Sequence, residues 1–253
     1  MVRILDNSYQ NLNDNMINKR QHFYWSSILL IFFAGGIGCS KPGVTVNVNP
    51  ISYVTVMNLA PYSSPVDIYF NGTQVSPLGG ILPEQFSTEY GQLKPGSYTV
   101  DFKVTGTDSL LYELPASQYD TSSFYTLILY NTAPGSPAVQ AVKILDNFSQ
   151  ISGTTAYYRF FNMSPDAPST NLLINGTVAQ TGRTPADNVA SQVFDLFQAI
   201  PTGDYPLQVQ NSSTDSVLAT QNSYPFESGS VYTIFLTGTS QAGMKINVLP
   251  VLF

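Results

Sequence analysis

The chain has 253 residues, with ten Lys and Arg against sixteen Asp and Glu, and a single His, Trp and Cys. A net charge of −6 disfavours nucleic-acid binding, because neutralising phosphates needs clustered cations. His22, Trp25 and Cys39 stand at the amino-terminal end. Beyond Cys39, therefore, no Ser-His-Asp or Cys-His nucleophile system, His/Cys zinc site or disulfide can be assembled.

In chain order, the first feature is a secretory pattern. Lys19-Arg20 precede the apolar run Ile28-Leu29-Leu30-Ile31-Phe32-Phe33-Ala34, which leads into Gly35-Gly36-Ile37-Gly38-Cys39. The run is about a dozen residues, short of the roughly 20 that a spanning helix needs. Small residues before a cysteine form a lipobox, in which the thiol takes a diacylglyceryl group. The expected organisation is a signal peptide over residues 1–38, with translation starting at Met16, and a lipidated linker over 39–50. The expected location is the cell envelope, with the protein anchored to the outer membrane through Cys39. Ser40-Lys41-Pro42-Gly43 lacks an acidic surface-export cluster, so the periplasmic face and the cell surface both stay open.

The rest is rich in Tyr, Phe, Val, Thr, Gly and Pro, a strand-and-turn composition. Val66, Ile68 and Phe70 alternate with Asp67 and Tyr69, and Tyr98, Val100, Phe102 and Val104 alternate with Thr99, Asp101 and Lys103. Period-two patterning predicts strands with one face on a core. Only a short helical turn is expected, around Asp187 to Phe197.

An internal repeat organises the chain. Asn58-Leu59-Ala60-Pro61 returns as Asn162-Met163-Ser164-Pro165, and Asn71-Gly72-Thr73 as Asn175-Gly176-Thr177. Pro95-Gly96-Ser97-Tyr98 aligns with Thr202-Gly203-Asp204-Tyr205, Asp108-Ser109-Leu110 with Asp215-Ser216-Val217, and Tyr125-Thr126-Leu127 with Tyr232-Thr233-Ile234. Val142-Lys143-Ile144 is matched to Met244-Lys245-Ile246. The reading is all-β, with two tandem sandwiches over 51–150 and 151–253. The joint near Asn147 to Gly153 is too short for a free linker, so the two should pack together. Strands starting at Tyr125 and Tyr232 should be central, with alternate residues buried.

Tyr157-Tyr158-Arg159-Phe160-Phe161-Asn162-Met163-Ser164-Pro165-Asp166-Ala167-Pro168 with Asn175-Gly176, and Val54 to Pro61 with Val66 to Gly72, resemble the opening of the domain-of-unknown-function 4397 family. Leu93-Lys94-Pro95-Gly96-Ser97-Tyr98 is similar to its Pro-Gly-x-Tyr element. The resemblance implies extracytoplasmic immunoglobulin-like β-sandwiches, often in lipoproteins of Bacteroidetes-type bacteria, and implies no reaction.

Candidate chemistry is sparse. Asp166, between two prolines, is read as an Asx-type turn rather than a metal ligand, and Asp67 as a solvated strand carboxylate. Glu84, Glu89, Asp187 and Asp195 are the acids from which a glycosidase pair would have to come, and nothing in their spacing selects one. Tyr62, Tyr90, Tyr119, Tyr157 and Tyr224 could form a sugar platform, but Tyr also suits sheet surfaces. Ser109 and Ser216 follow Asp and precede an apolar residue, a pattern similar to Bacteroidetes O-glycosylation acceptors and equally to a hairpin turn. The expected function is a non-catalytic structural or binding module without metal or cofactor. The alternative is an accessory glycan- or protein-binding subunit of an outer-membrane uptake system. The expected partners are the membrane, through Cys39, and an envelope glycan or protein.

Overall fold

The computed structural model describes residues 50–190 and 193–251; Cys39 and the expected signal peptide lie outside them. The first repeat contributes Ser52–Asn58 (β1), Val66–Phe70 (β2), Thr73–Gln74 (β3), Gly91–Leu93 (β4), Gly96–Val104 (β5), Leu110–Tyr119 (β6), Phe124–Asn131 (β7) and Val139–Asp146 (β8). The second contributes Ala156–Asn162 (β9), Thr170–Ile174 (β10), Thr177–Arg183 (β11), Gln198–Ile200 (β12), Gly203–Asn211 (β13), Val217–Phe226 (β14), Val231–Thr239 (β15) and Gly243–Pro250 (β16). One short helix, Asp187–Ala190 (α1), falls where a helical turn is expected. It starts with a capping arrangement: the Thr184 hydroxyl donates to Asp187, and Asp187 Oδ2 accepts from the Thr184 N–H at 2.8 Å.

The strands form four sheets, ordered β4-β1-β7-β8 and β3-β2-β5-β6 in the first repeat, and β12-β9-β15-β16 and β11-β10-β13-β14 in the second. The chain is thus all-β, folded as two sandwiches. In each repeat the first strand runs parallel to the seventh, as β1 with β7 and β9 with β15, and the other pairings are antiparallel. Tight turns close β2 and β10, where Asn71 and Asn175 adopt φ of 46° and 51° ahead of Gly72 and Gly176 at 77° and 75°. Two successive positive φ values define the turn whose twist suits a hairpin, and Asn-Gly supplies them with little strain.

Each sandwich has its own core. Ile68, Phe70, Val100 and Phe102 meet Leu127 and Leu129 in the first. Leu172, Leu207 and Val209 meet Phe160, Ile234 and Leu236 in the second. A third apolar layer lies between the sandwiches, built from Met57, Leu59, Ile128 and Ile144 on one side and Phe161, Met163, Phe235 and Leu249 on the other. These are equivalent positions in the two repeats, so both copies use the same face. The expected alternation along the central strands is therefore corrected: every residue of β15, and all of β7 except Phe124, is buried. Odd positions of β7 fill the sandwich and even positions fill the layer between sandwiches.

The last repeat match is also corrected. Leu127 pairs with Lys143, whereas its equivalent Ile234 pairs with Val248, and Lys245 sits opposite Thr237. Lys143 and Lys245 are therefore not equivalent, because pairing register outranks local similarity once one face must be buried.

One ion pair joins the repeats. Arg159 Nη2 on β9 lies 2.7 Å from Asp146 Oδ1 at the end of β8, and both side chains are sealed from water. Thr126 Oγ1 and the Tyr90 hydroxyl donate to Asp146 Oδ2 at 2.7 and 2.8 Å. Arg159 also donates to Thr233 Oγ1 at 3.1 Å and stacks its guanidinium 4.4 Å from the centre of the Phe197 ring. Burying two charges costs several kcal/mol each, which the mutual attraction offsets only when the remaining polar atoms are bonded. Here they largely are. Asp146→Ala or Arg159→Met alone should lower unfolding stability by about 3–5 kcal/mol, because one charge is left buried and unpaired. The paired replacement Asp146→Leu with Arg159→Met should recover most of that loss in urea titrations. Additive losses in the double variant would show that the two charges are not coupled.

Candidate functional site

A cleft in the first sandwich arises from two very short edge strands. β3 has two residues and β4 three, so between Gln74 and Gly91 the chain meets the sheets mainly through the isolated bridges of Ile81 to Val66 and Gln85 to Asn58, and the first sandwich stays partly open along that edge. The opening is a cleft of about 390 Å³, within the roughly 300–1,000 Å³ typical of ligand sites. Its floor is Val54, Val56, Ile68 and Phe70, its wall Ile81 and Phe86, and its mouth carries Gln85, Ser87 and Glu89. Val75, Leu78 and Leu82, on the segment bordering the mouth, are 53, 101 and 55% exposed. Single exposed apolar residues are ordinary, but three on one short segment beside an apolar cleft make a patch.

The second sandwich fills part of the equivalent space with larger side chains. Strand pairing makes Tyr158 the counterpart of Val54, since they lie opposite Tyr232 and Tyr125. The Tyr158 ring is buried and its hydroxyl donates to Gln198 at 3.1 Å. Arg183 pairs with Thr170 as Ile81 pairs with Val66. It is 1% exposed, donates through Nη1 to the Phe160 carbonyl at 2.9 Å, pairs with Asp187 at 3.2 Å and lies 3.7 Å over the Phe194 ring. Burial draws its pKa down while Asp187 pulls the other way. A hollow of about 360 Å³ remains at the part of the equivalent cleft lined by Tyr158, Ile174, Ala179 and Ala199, the counterparts of Val54, Phe70, Val75 and Gln92.

The acids weighed from sequence do not converge on the cleft. Glu89 lines it, but Asp187 is committed to Arg183. Asp195 is half-buried, and desolvation pushes its carboxyl up, against the pull of Arg159. Asp67 corrects the sequence reading. It is 4% exposed rather than solvated, accepting from Ser76 Oγ at 3.1 Å and the Gly106 N–H at 3.0 Å, because the β5–β6 turn folds over it. Asp166 is more than a local turn. It accepts from Ser164, two residues away, and from both the N–H and the hydroxyl of Ser240 on the β15–β16 turn.

The aromatic candidates are mostly structural. Tyr90 is bonded to Asp146, Tyr119 and Tyr157 are buried, and Tyr224 packs edge-on against Phe226 and Tyr232. Ser109 and Ser216 are exposed just before β6 and β14, at equivalent places in the two repeats. Their backbone carbonyls accept from Val104 and Asn211, which holds each turn while leaving its tip in water.

The profile of a family described as "Domain of unknown function (DUF4397)" matches residues 52–173 and 156–251. The chain belongs to the DUF4397 family. No curated protein is similar enough to count as a relative. Residues that recur in both DUF4397 copies serve the fold. Asn58 and Asn162 end the first strand of each repeat, send Nδ2 to the carbonyls of Ile81 and Arg183, and accept from the N–H groups of Ala60 and Ser164. Each buried Asn thus ties a turn to the crossing chain, a bond pattern that Asp could not make because it has no donor. Tyr125 and Tyr232 accept at their hydroxyls from the N–H groups of Asp120 and Glu227, five residues back, and so close the turn before each central strand. In the DUF4397 fold of this chain the repeated residues build the scaffold, and the cleft comes from what the repeats do not share. The sequence reading missed the ion pair and the cleft. A lone Arg within the aromatic run Tyr157 to Phe161 was the available signal for the first.

Asp166 has a pH consequence. Partial burial would raise its pKa, but the donors from Ser240 and Ser164 outweigh that and hold the carboxyl below the usual range. The stability it contributes is therefore present above the unfolded carboxylate value of about 4 and lost as pH falls through the lower folded value. Asp166→Asn should lower the melting temperature at neutral pH and flatten its fall on acidification, measured by thermal melts from about pH 7 to pH 2. An unchanged acid limb would remove Asp166 as a contributor.

Proposed function

We propose that this protein is a non-catalytic module of the cell envelope, anchored to the outer membrane by lipid on Cys39, that presents two fused sandwiches as one binding body. The observation that carries the reading is the basic-apolar-Gly-Cys order ending at Cys39. The continuous apolar layer and buried ion pair between the sandwiches support it, because an anchored module that presents a surface benefits from fixed geometry. An envelope protein or glycan is the partner on this reading. The cleft in the first sandwich favours the second form of the reading, an accessory subunit that captures protein or glycan for an outer-membrane uptake system.

A single acyl chain gives only marginal membrane affinity, so stable anchoring needs the two or three chains that a processed lipobox cysteine carries. Cys39→Ser should abolish metabolic palmitate labelling and move the protein to the soluble fraction. Labelling that persists in the variant would overturn the anchor.

In a host that has the Bacteroidetes O-glycosylation system, Ser109 and Ser216 are modification acceptors on the same reading, placed where a glycan would cover turn surface without touching a core. Intact mass of the native protein should exceed polypeptide plus lipid, and the excess should vanish in the Ser109→Ala, Ser216→Ala double variant. A native mass of polypeptide plus lipid alone would make both ordinary turn residues.

A further inference from the structure

The two repeats together suggest what the open cleft accepts. Along β1, the N–H of Tyr53 donates to Ser123 and that of Leu59 to Leu129, so odd positions face β7. Even positions face the outer edge. Ser52 and Val54 lie opposite Leu93 and Gly91 of β4, and the Asn58 N–H donates to Gln85. Val56 is the outward position between them, where β4 has already ended, and it forms part of the cleft floor. Its counterpart in the second repeat is Phe160, whose carbonyl is capped by the Arg183 guanidinium. That guanidinium is flanked by the Phe194 ring and balanced by Asp187. At the position of Arg183 the first repeat has Ile81, and at the position of Tyr158 it has the smaller Val54. The carbonyl position is kept, and Ile81 offers no donor in place of the guanidinium that caps it in the second repeat.

We propose that the cleft of the first sandwich binds a peptide segment of a partner protein that offers an arginine beside an aromatic residue. The guanidinium donates to the Val56 carbonyl as Arg183 does to that of Phe160, and the ring lies among Ile68, Phe70 and Ile81. Charge supports this choice. No Lys or Arg lines the cleft, Glu89 stands at its mouth, and the chain as a whole is acidic. Arginine suits the place because its planar fork stacks on rings and desolvates more readily than an ammonium group. The exposed Val75, Leu78 and Leu82 border the same opening and would be covered by the chain on either side of the anchored pair. This inference rests on the reading of the protein as a binding module.

The test titrates acetyl-Phe-Arg-amide into the full chain and follows binding by calorimetry, with acetyl-Phe-norleucine-amide as the probe lacking the guanidinium. Saturable binding of the first and at least about tenfold weaker binding of the second are expected. Val54→Tyr, which installs the residue the second repeat holds at Tyr158, should weaken binding about tenfold without lowering the melting temperature. Glu89→Gln, on the exposed mouth, should weaken it a few-fold and more so at low salt, and keeps the test open if the first variant folds poorly. Absence of saturable binding, equal affinity for the two probes, or affinity unchanged in both variants would overturn the inference. Palmitate labelling at Cys39 is independent of each of these outcomes, so failure of the cleft and failure of the anchor are read separately.

Discussion

Strands β7 and β15 are covered on both faces, and much of the molecule follows from that constraint. An antiparallel sandwich ordinarily leaves the outer face of each sheet to water. Here the outer faces of β4-β1-β7-β8 and β12-β9-β15-β16 carry Ile128, Ile144, Phe161 and Phe235, and these side chains meet one another. Two sandwiches that could each have folded with one wet face therefore form one compact unit. The joint between Asp146 and Ala156 can be short because the sheets it connects are already in contact.

Into that apolar layer the chain places one buried ion pair that is no part of the repeat. Thr55 occupies the place of Arg159 in the first copy, and Asp146 comes from the strand end that leads into the joint. A hydrophobic layer alone tolerates sliding, whereas a guanidinium that must meet one carboxylate, one threonine hydroxyl and one ring does not. The pair makes a mis-set interface costly, since any displacement leaves a charge buried without its partner.

Divergence between the copies explains why their clefts are lined differently. The scaffold residues recur: the Asn that ties the first turn, the Asn-Gly hairpin and the Tyr that closes the turn before the central strand. What differs is the segment from β3 to β4 against that from β11 to β12, and the side chains beneath it. Arg183, Phe194 and Tyr158 occupy the second copy, while Ile81 and Val54 leave the first open. The two copies thus carry differently lined recesses at equivalent places, and that of the first has Glu89 at its mouth.

Much was determined by the sequence alone. Period-two alternation, Asn-Gly turns and landmarks recurring at near-constant offset define an all-β chain of two copies, because strand periodicity and turn chemistry are local properties. The proposed processing signal ending at Cys39 rests on the same kind of local order. The tertiary structure decided what depends on residues distant in the chain. Asp67 looks solvated from its strand neighbours and is buried because Ser76 and Gly106 fold over it. Lys143 and Lys245 look equivalent by their neighbours and are separated by pairing register. Asp146 and Arg159 give little sign of being partners until two sheets are stacked. The cleft, finally, is a difference in volume between equivalent positions, and volume exists only once both sheets and the segment between them are in place.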